Sequence, residues 1–110
     1  MNVTNFEHRL KPIKFGERLK DVIYFSFRAI GLNRPTLTSL INSEGGVRAA
    51  KRYLITKERT SEEFEKLIKA GLSSYTLEAV VLEFKDSGLF TDTEIEIAEW
   101  RLKNYEKADG

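Results

Sequence analysis

Helix punctuation constrains this chain more than any other feature of its sequence. Three Thr-x-x-Glu strings, Thr4–Glu7, Thr60–Glu63 and Thr91–Glu94, have the spacing of a capping box. In that arrangement the threonine hydroxyl accepts from the backbone N–H three residues on, and the glutamate reaches back to the threonine N–H. Stops are marked by Pro12, Gly31 with Asn33, Gly45-Gly46, Gly71 and Asp86-Ser87-Gly88, residues that break or close helices. Between these signals the pattern predicts helices over 5–11, 15–30, 34–43, 46–56, 61–70, 75–86 and 92–106. No segment alternates as a strand would. Val80-Val81-Leu82 is β-prone, but Leu77, Val80, Val81 and Phe84 recur at helical spacing. The expected fold is all-α, a single compact bundle of about six to seven short helices, with 1–110 as one domain.

Composition agrees. Hydrophobic residues are 41% of the chain and charged residues 32%, a balance that folds rather than stays disordered. The absence of cysteine excludes disulfides, thiolate metal sites and cysteine nucleophiles, and makes a cytoplasmic address the expectation. Charges from Glu7 to Arg28 interrupt every apolar run near the start, so neither a signal core nor a membrane span is expected.

From Gly45 onward a longer pattern emerges. It comprises Gly45-Gly46-Val47, Ala49-Ala50-Lys51 and Leu54, then Phe64 and Leu67, then Thr76-Leu77-Glu78-Ala79-Val80-Val81-Leu82. Leu89-Phe90-Thr91, Glu94, Ile97-Ala98, Leu102 and Tyr105 complete it. This resembles a family of small, functionally uncharacterised bacterial proteins. Where such proteins often carry glycine before the phenylalanine and after the last tyrosine, this chain has Glu63 and Glu106. The shared positions are caps and core, so the resemblance implies a helical domain and transfers no functional residue.

Catalytic chemistry finds little to work with. His8 is the single histidine, which rules out paired-histidine zinc sites and leaves a Ser-His-Asp triad dependent on the first helix. The carboxylates Glu62, Glu63, Glu65, Asp92, Glu94, Glu96 and Glu99 gather in first turns, where they complement helix dipoles. No catalytic residue, metal ligand or cofactor is expected. Gly45-Gly46, ahead of Arg48, Lys51 and Arg52, has the makings of a phosphate turn at a helix N-terminus but lacks the Gly-Lys-Ser/Thr ending of a P-loop.

Charge is unevenly distributed. The net charge of +1 conceals +6 over residues 1–55 and −5 over residues 56–110. Within the basic half, Ile30 to Ile41 has the punctuation of a helix-turn-helix: Gly31 closes one helix, and Leu32, Leu37 and Leu40 anchor the pair. Arg34, Thr36, Thr38, Ser39 and Asn42 would then face a major groove. Phe27 stands where that motif wants a small residue; otherwise Asn33 caps and Pro35 opens an ordinary core helix. Arg28, Arg34, Arg48, Lys51 and Arg52 form the expected basic patch, and Arg28, Arg34, Thr36, Ser39, Arg48, Lys51 and Arg52 the candidate nucleic-acid contacts. The competing expectation is that the basic half docks on the acidic half.

Apolar residues also exceed what one core requires. Phe15, Leu19, Val22, Ile23, Phe25, Phe27, Ala29 and Ile30 span an arc of about 200°, wide enough to thread a bundle or meet another chain. In the last helix Ile95, Ala98, Leu102 and Tyr105 form one stripe, while Ile97 and Trp100 point away from it. Those two need either a folded-back first helix, through Phe6 and Leu10, or a partner. Phe25, Ile97 and Trp100 are therefore the candidate partner contacts. The sequence reads as a non-enzymatic binding module associated with nucleic acid; the alternative is a protein-interaction adaptor or small homo-oligomer.

Overall fold

The computed structural model describes residues 3–108, with side chains over 8–105. Helices account for 74% of the chain, and no strand occurs among the described residues. The order is α1 Val3–Ile30, α2 Pro35–Glu44, α3 Gly46–Tyr53, α4 Glu62–Lys69, a 3-10 turn Ser73–Tyr75, α5 Leu77–Glu83 and α6 Asp92–Ala108.

α1 is the spine. The two helices expected over 5–11 and 15–30 are one helix of 28 residues with Pro12 inside it. Proline costs its own N–H bond and crowds the preceding turn, yet its fixed φ is itself helical, and the helix runs on into an anchored stretch. Phe15, Leu19, Val22 and Ser26 are fully buried at i, i+4, i+7 and i+11, one narrow stripe. The Ser26 hydroxyl donates to the Val22 carbonyl at 2.7 Å, so its burial strands no polar group. Phe15 meets Phe84 and Phe90 edge to face, with centroids 5.3 and 5.0 Å away. Lys11 Nζ donates to the Ser87 carbonyl, and Arg18 makes a two-point contact with Glu83. Both tie α1 to α5 and its following turn.

α2 and α3 pack on one another and α3 packs on α1. Gly45, at φ 90°, turns the chain between them, a torsion that favours glycine. α2 opens with Pro35 as expected, but Arg34 rather than Asn33 is the N-cap residue, and its side chain makes no capping bond. α4 is capped by Ser61, which accepts from Phe64 N, one position later than expected; Thr60 instead donates to Glu65. Thr76 caps α5 through Ala79 N. At α6 the expected box is complete: Thr91 N donates to Glu94 Oε1 at 2.9 Å, and Glu94 N to Thr91 Oγ1 at 3.1 Å. The corresponding side chains of Thr4 and Glu7 lie outside the described residues.

The core joins Phe15, Leu19 and Val22 of α1 to Leu37, Ile41, Ala49, Ala50, Leu77, Val80, Val81, Phe90, Ile97 and Ala98. α6 presents Ile97, Ala98 and Arg101 inward, whereas Ile95, Leu102 and Tyr105 are half-buried. Its buried face is therefore turned from the expected stripe. The reason is Arg101, fully buried because every direction it points is answered. Its Nη1 donates to Glu78 Oε2 at 2.8 Å, Nη2 to the Thr56 and Arg59 carbonyls, and Nε to the Lys57 carbonyl. One guanidinium thus folds the irregular segment between α3 and α4 around itself. Burial pushes the Glu78 carboxyl up from its ordinary value, and Arg101 pulls it back.

Candidate partner-binding surface

Once α1 has spent one stripe on the core, the rest of its apolar arc remains outside. Tyr24, Phe25, Phe27 and Ile30 are 58%, 46%, 49% and 42% exposed, and Ile13, nearer the start, 56%. Exposed single hydrophobics are ordinary, but five on one helix form a patch that calls for explanation. Two of them touch. Tyr24 and Phe25 meet at 5.8 Å between ring centroids, and Phe25 stacks on Tyr75.

On the other flank, Tyr24 and Phe27 line a cleft of about 470 Å³ between α1 and α2, with Ile23 and Ile41 also in its wall and Thr38 and Asn42 at its rim. A second cleft of about 500 Å³ continues it past Ile13, Gly16 and Lys20 to Gly46, Val47 and Arg48. Lys20 and Ile41 belong to both. The exposed aromatics at the C-terminal end of α1 are therefore bordered by a groove that runs on past charged residues toward Ile13.

The same cleft accounts for the fate of the helix-turn-helix expectation. α2 packs chiefly on α3, and Leu32 and Leu37 are buried without drawing α2 tightly onto α1. Phe27 stands half exposed in the wall of the cleft between the two helices. That pairing is not formed. Thr36, Thr38, Ser39 and Asn42 are exposed on α2.

The expected basic patch does not assemble either. Arg34 is 4% exposed, and its Nε has no hydrogen-bond partner. Burial lowers its pKa, partly offset by the charges of Glu63 and Glu78. It lines a cleft with Asn33, Thr38, Ser39 and Asn42, a recessed position and not the exposed surface patch expected of it. Lys51 Nζ is bonded to Glu94 Oε1 at 2.6 Å and lies over the Phe90 ring, while Arg52 grips Glu44 with two nitrogens. Arg28 and Arg48 are exposed and carry no ion pair among the described residues. Lys51–Glu94 and Arg18–Glu83 join the basic half to the acidic half, as the competing expectation has it.

At the glycine turn, Gly45 N donates to the Ile41 carbonyl, and the adjoining cleft carries Glu17 and Glu44 beside Arg48. Two carboxylates there oppose an anion. His8 is exposed on α1, and no group of three metal-ligating side chains stands together among the described residues.

Of the expected partner contacts, Phe25 is exposed, Ile97 is 3% exposed within the core, and Trp100 is half-buried with its ring 6.3 Å from Tyr105. Ile97 is corrected: it is buried in the core shared with α1, α3 and α5, with no folded-back first helix, because α1 is one continuous helix. Tyr24 and Ile13 were missed. Neither belonged to the apolar arc read from the sequence: both project into its polar gap at 100° per residue. No described helix is long and apolar enough to cross a membrane. Comparison of the chain with protein-family models, with curated proteins and with solved structures gives no match.

Proposed function

We propose that this protein is a non-enzymatic protein-interaction module that binds through the outer face of α1 and the groove beside it. The observation that carries the proposal is the exposure of Tyr24, Phe25 and Phe27 together on a helix whose core stripe of Phe15, Leu19, Val22 and Ser26 is fully buried. Aromatic side chains on a rigid helix lose little entropy on binding and suit the centre of an interface. The polar rim of Thr38 and Asn42 on α2 matches the usual border of such a patch. This reading replaces nucleic-acid association as the favoured function, because Arg34 is recessed and Lys51 and Arg52 are engaged with carboxylates, which leaves only Arg28 and Arg48 exposed without an ion pair among the described residues.

A photo-crosslinking residue in place of Phe27, expressed in cells, tests it. The expected result is one discrete protein adduct, absent when the same residue replaces Glu96, which is exposed on α6. Equal adduct patterns at the two positions would overturn the proposal.

A further inference from the structure

Two arginines are buried in this chain, and only one of them is answered. Arg101 is met by Glu78 and three backbone carbonyls. Arg34 is 4% exposed, its Nε has no hydrogen-bond partner, and it makes no ion pair among the described residues. The carboxylates that act on it through space are Glu63 of α4 and Glu78 of α5, and Glu78 is already bonded to Arg101. A buried cation without a bonded partner is costly, so the position calls for an anion that the described chain does not supply.

The cleft that Arg34 lines has a volume of about 570 Å³. It shares Ile23, Asn33, Thr38 and Asn42 with the cleft of about 470 Å³ between α1 and α2, so the two are one continuous hollow. One side of it is apolar, built from Ile23, Tyr24, Phe27 and Ile41. The other side carries the hydroxyls and amides of Asn33, Thr38, Ser39 and Asn42. Among the described residues Lys20 and Arg34 are the only charged members of its wall. Glu17 and Glu44 stand in the farther cleft, beyond Ile41, and Glu44 is held by Arg52. α2 begins at the polar end without a side-chain cap, and a helix N-terminus favours negative charge.

From this we infer that the hollow between α1 and α2 is a small-molecule site for an apolar acid, its carboxylate paired with Arg34 and its hydrocarbon body lying along Ile23, Tyr24, Phe27 and Ile41. Clefts of roughly 300–1,000 Å³ with mostly apolar walls and a few convergent polar groups are the usual form of such sites. The planar fork of one guanidinium matches the two oxygens of a carboxylate. A single recessed cation suits a monoanion better than a phosphate dianion, because Lys20 stands in the other part of the hollow. The inference goes beyond the interaction reading above: Phe25 and Ile30 are outside the wall of the hollow and stay available to a protein partner.

Titration of the nitrogen-15-labelled chain at neutral pH with octanoate, with the uncharged octanamide and with acetate, each to about 10 mM, tests this by amide chemical shifts. Octanoate is expected to move the signals of Asn33, Thr38, Ser39 and Asn42 and to leave Ile55, on the segment after α3, in place. Octanamide, which lacks the charge, should bind about tenfold or more weakly, and acetate, which lacks the apolar body, should be weaker than octanoate by a similar factor. Arg34→Met should bring octanoate down to the level of octanamide and leave octanamide unchanged. Circular dichroism keeps a folding defect in that variant from passing as lost binding, and the comparison of octanoate with octanamide on the wild type needs no variant. No shifts with octanoate at about 10 mM, equal binding of octanoate and octanamide, acetate as tight as octanoate, or an Arg34→Met protein that binds octanoate as the wild type does would each overturn the inference. None of these results bears on the Phe27 crosslink, so the acid site and the interaction module fail separately.

Discussion

Gly46 lies so close to Gly16 that a β-carbon built on Gly46 would stand 2.7 Å from the Gly16 Cα. This contact sets how near α3 comes to α1, and with it the floor of the groove. The reverse substitution is different, because a β-carbon on Gly16 would have its nearest contact at 3.9 Å, from Gly46 N. Gly46→Ala is therefore expected to lower stability by about 1–3 kcal/mol, the usual cost of overpacking. Gly16→Ala should be neutral or raise stability by up to about 1 kcal/mol through helix propensity. Urea unfolding of the two variants checks the asymmetry, and equal effects would contradict the geometry.

Arg101 and Glu78 are 1% and 3% exposed, whereas Arg18 and Glu83 are 36% and 40% exposed. Arg101→Ala strands a buried carboxylate and three backbone carbonyls, and is expected to cost about 3–5 kcal/mol. That is a large share of the stability of a domain this size. Arg18→Ala should cost no more than about 1 kcal/mol. The unfolding midpoints should separate the two clearly; similar losses would mean that the buried pair is not holding the segment between α3 and α4.

How far the sequence discloses this fold depends on where the deciding interaction lies. The caps at Thr91 and the glycine turns are local, and local signals located them. Pro12 was misread as a stop because the anchor that lets α1 continue, Phe15 against Phe84 and Phe90, comes from residues some seventy positions away. Arg34 was read as a surface cation and Arg101 was not singled out for the same reason, since nothing beside them in sequence reveals Glu78 or the carbonyls of 56–59. The binding face was half legible. The width of the apolar arc announced a surplus, but only the observed core stripe decided which part of the arc was left over, and the exposed Tyr24 and Ile13 lie outside that arc altogether.

Glu94 links the α6 cap to Lys51, and its acid sensitivity follows. Burial pushes its pKa up, but the hydrogen bonds from Lys51 and Thr91 outweigh burial and leave it below the usual 4.5. A carboxyl depressed in the folded state adds stability that is present above its unfolded value and is lost as pH falls through the folded one. Glu94→Gln is thus expected to lower stability by about 1 kcal/mol at neutral pH, with the difference from wild type shrinking below pH 4.5. Melting curves across pH 3–7 test this; a gap that stays constant on acidification would contradict it.

The most direct measurement of the central claim is side-chain-resolved hydroxyl-radical footprinting of α1. It should be run on dilute purified protein and on protein in cell extract. Ile55, 73% exposed on the segment after α3, serves as the internal reference. Tyr24, Phe25 and Phe27 are expected to react freely when dilute and to lose reactivity in extract, while Ile55 stays unchanged. Reactivity of the three rings that remains at the dilute level in extract, or protection that falls on Ile55 instead, would contradict the assignment of this face as the binding surface.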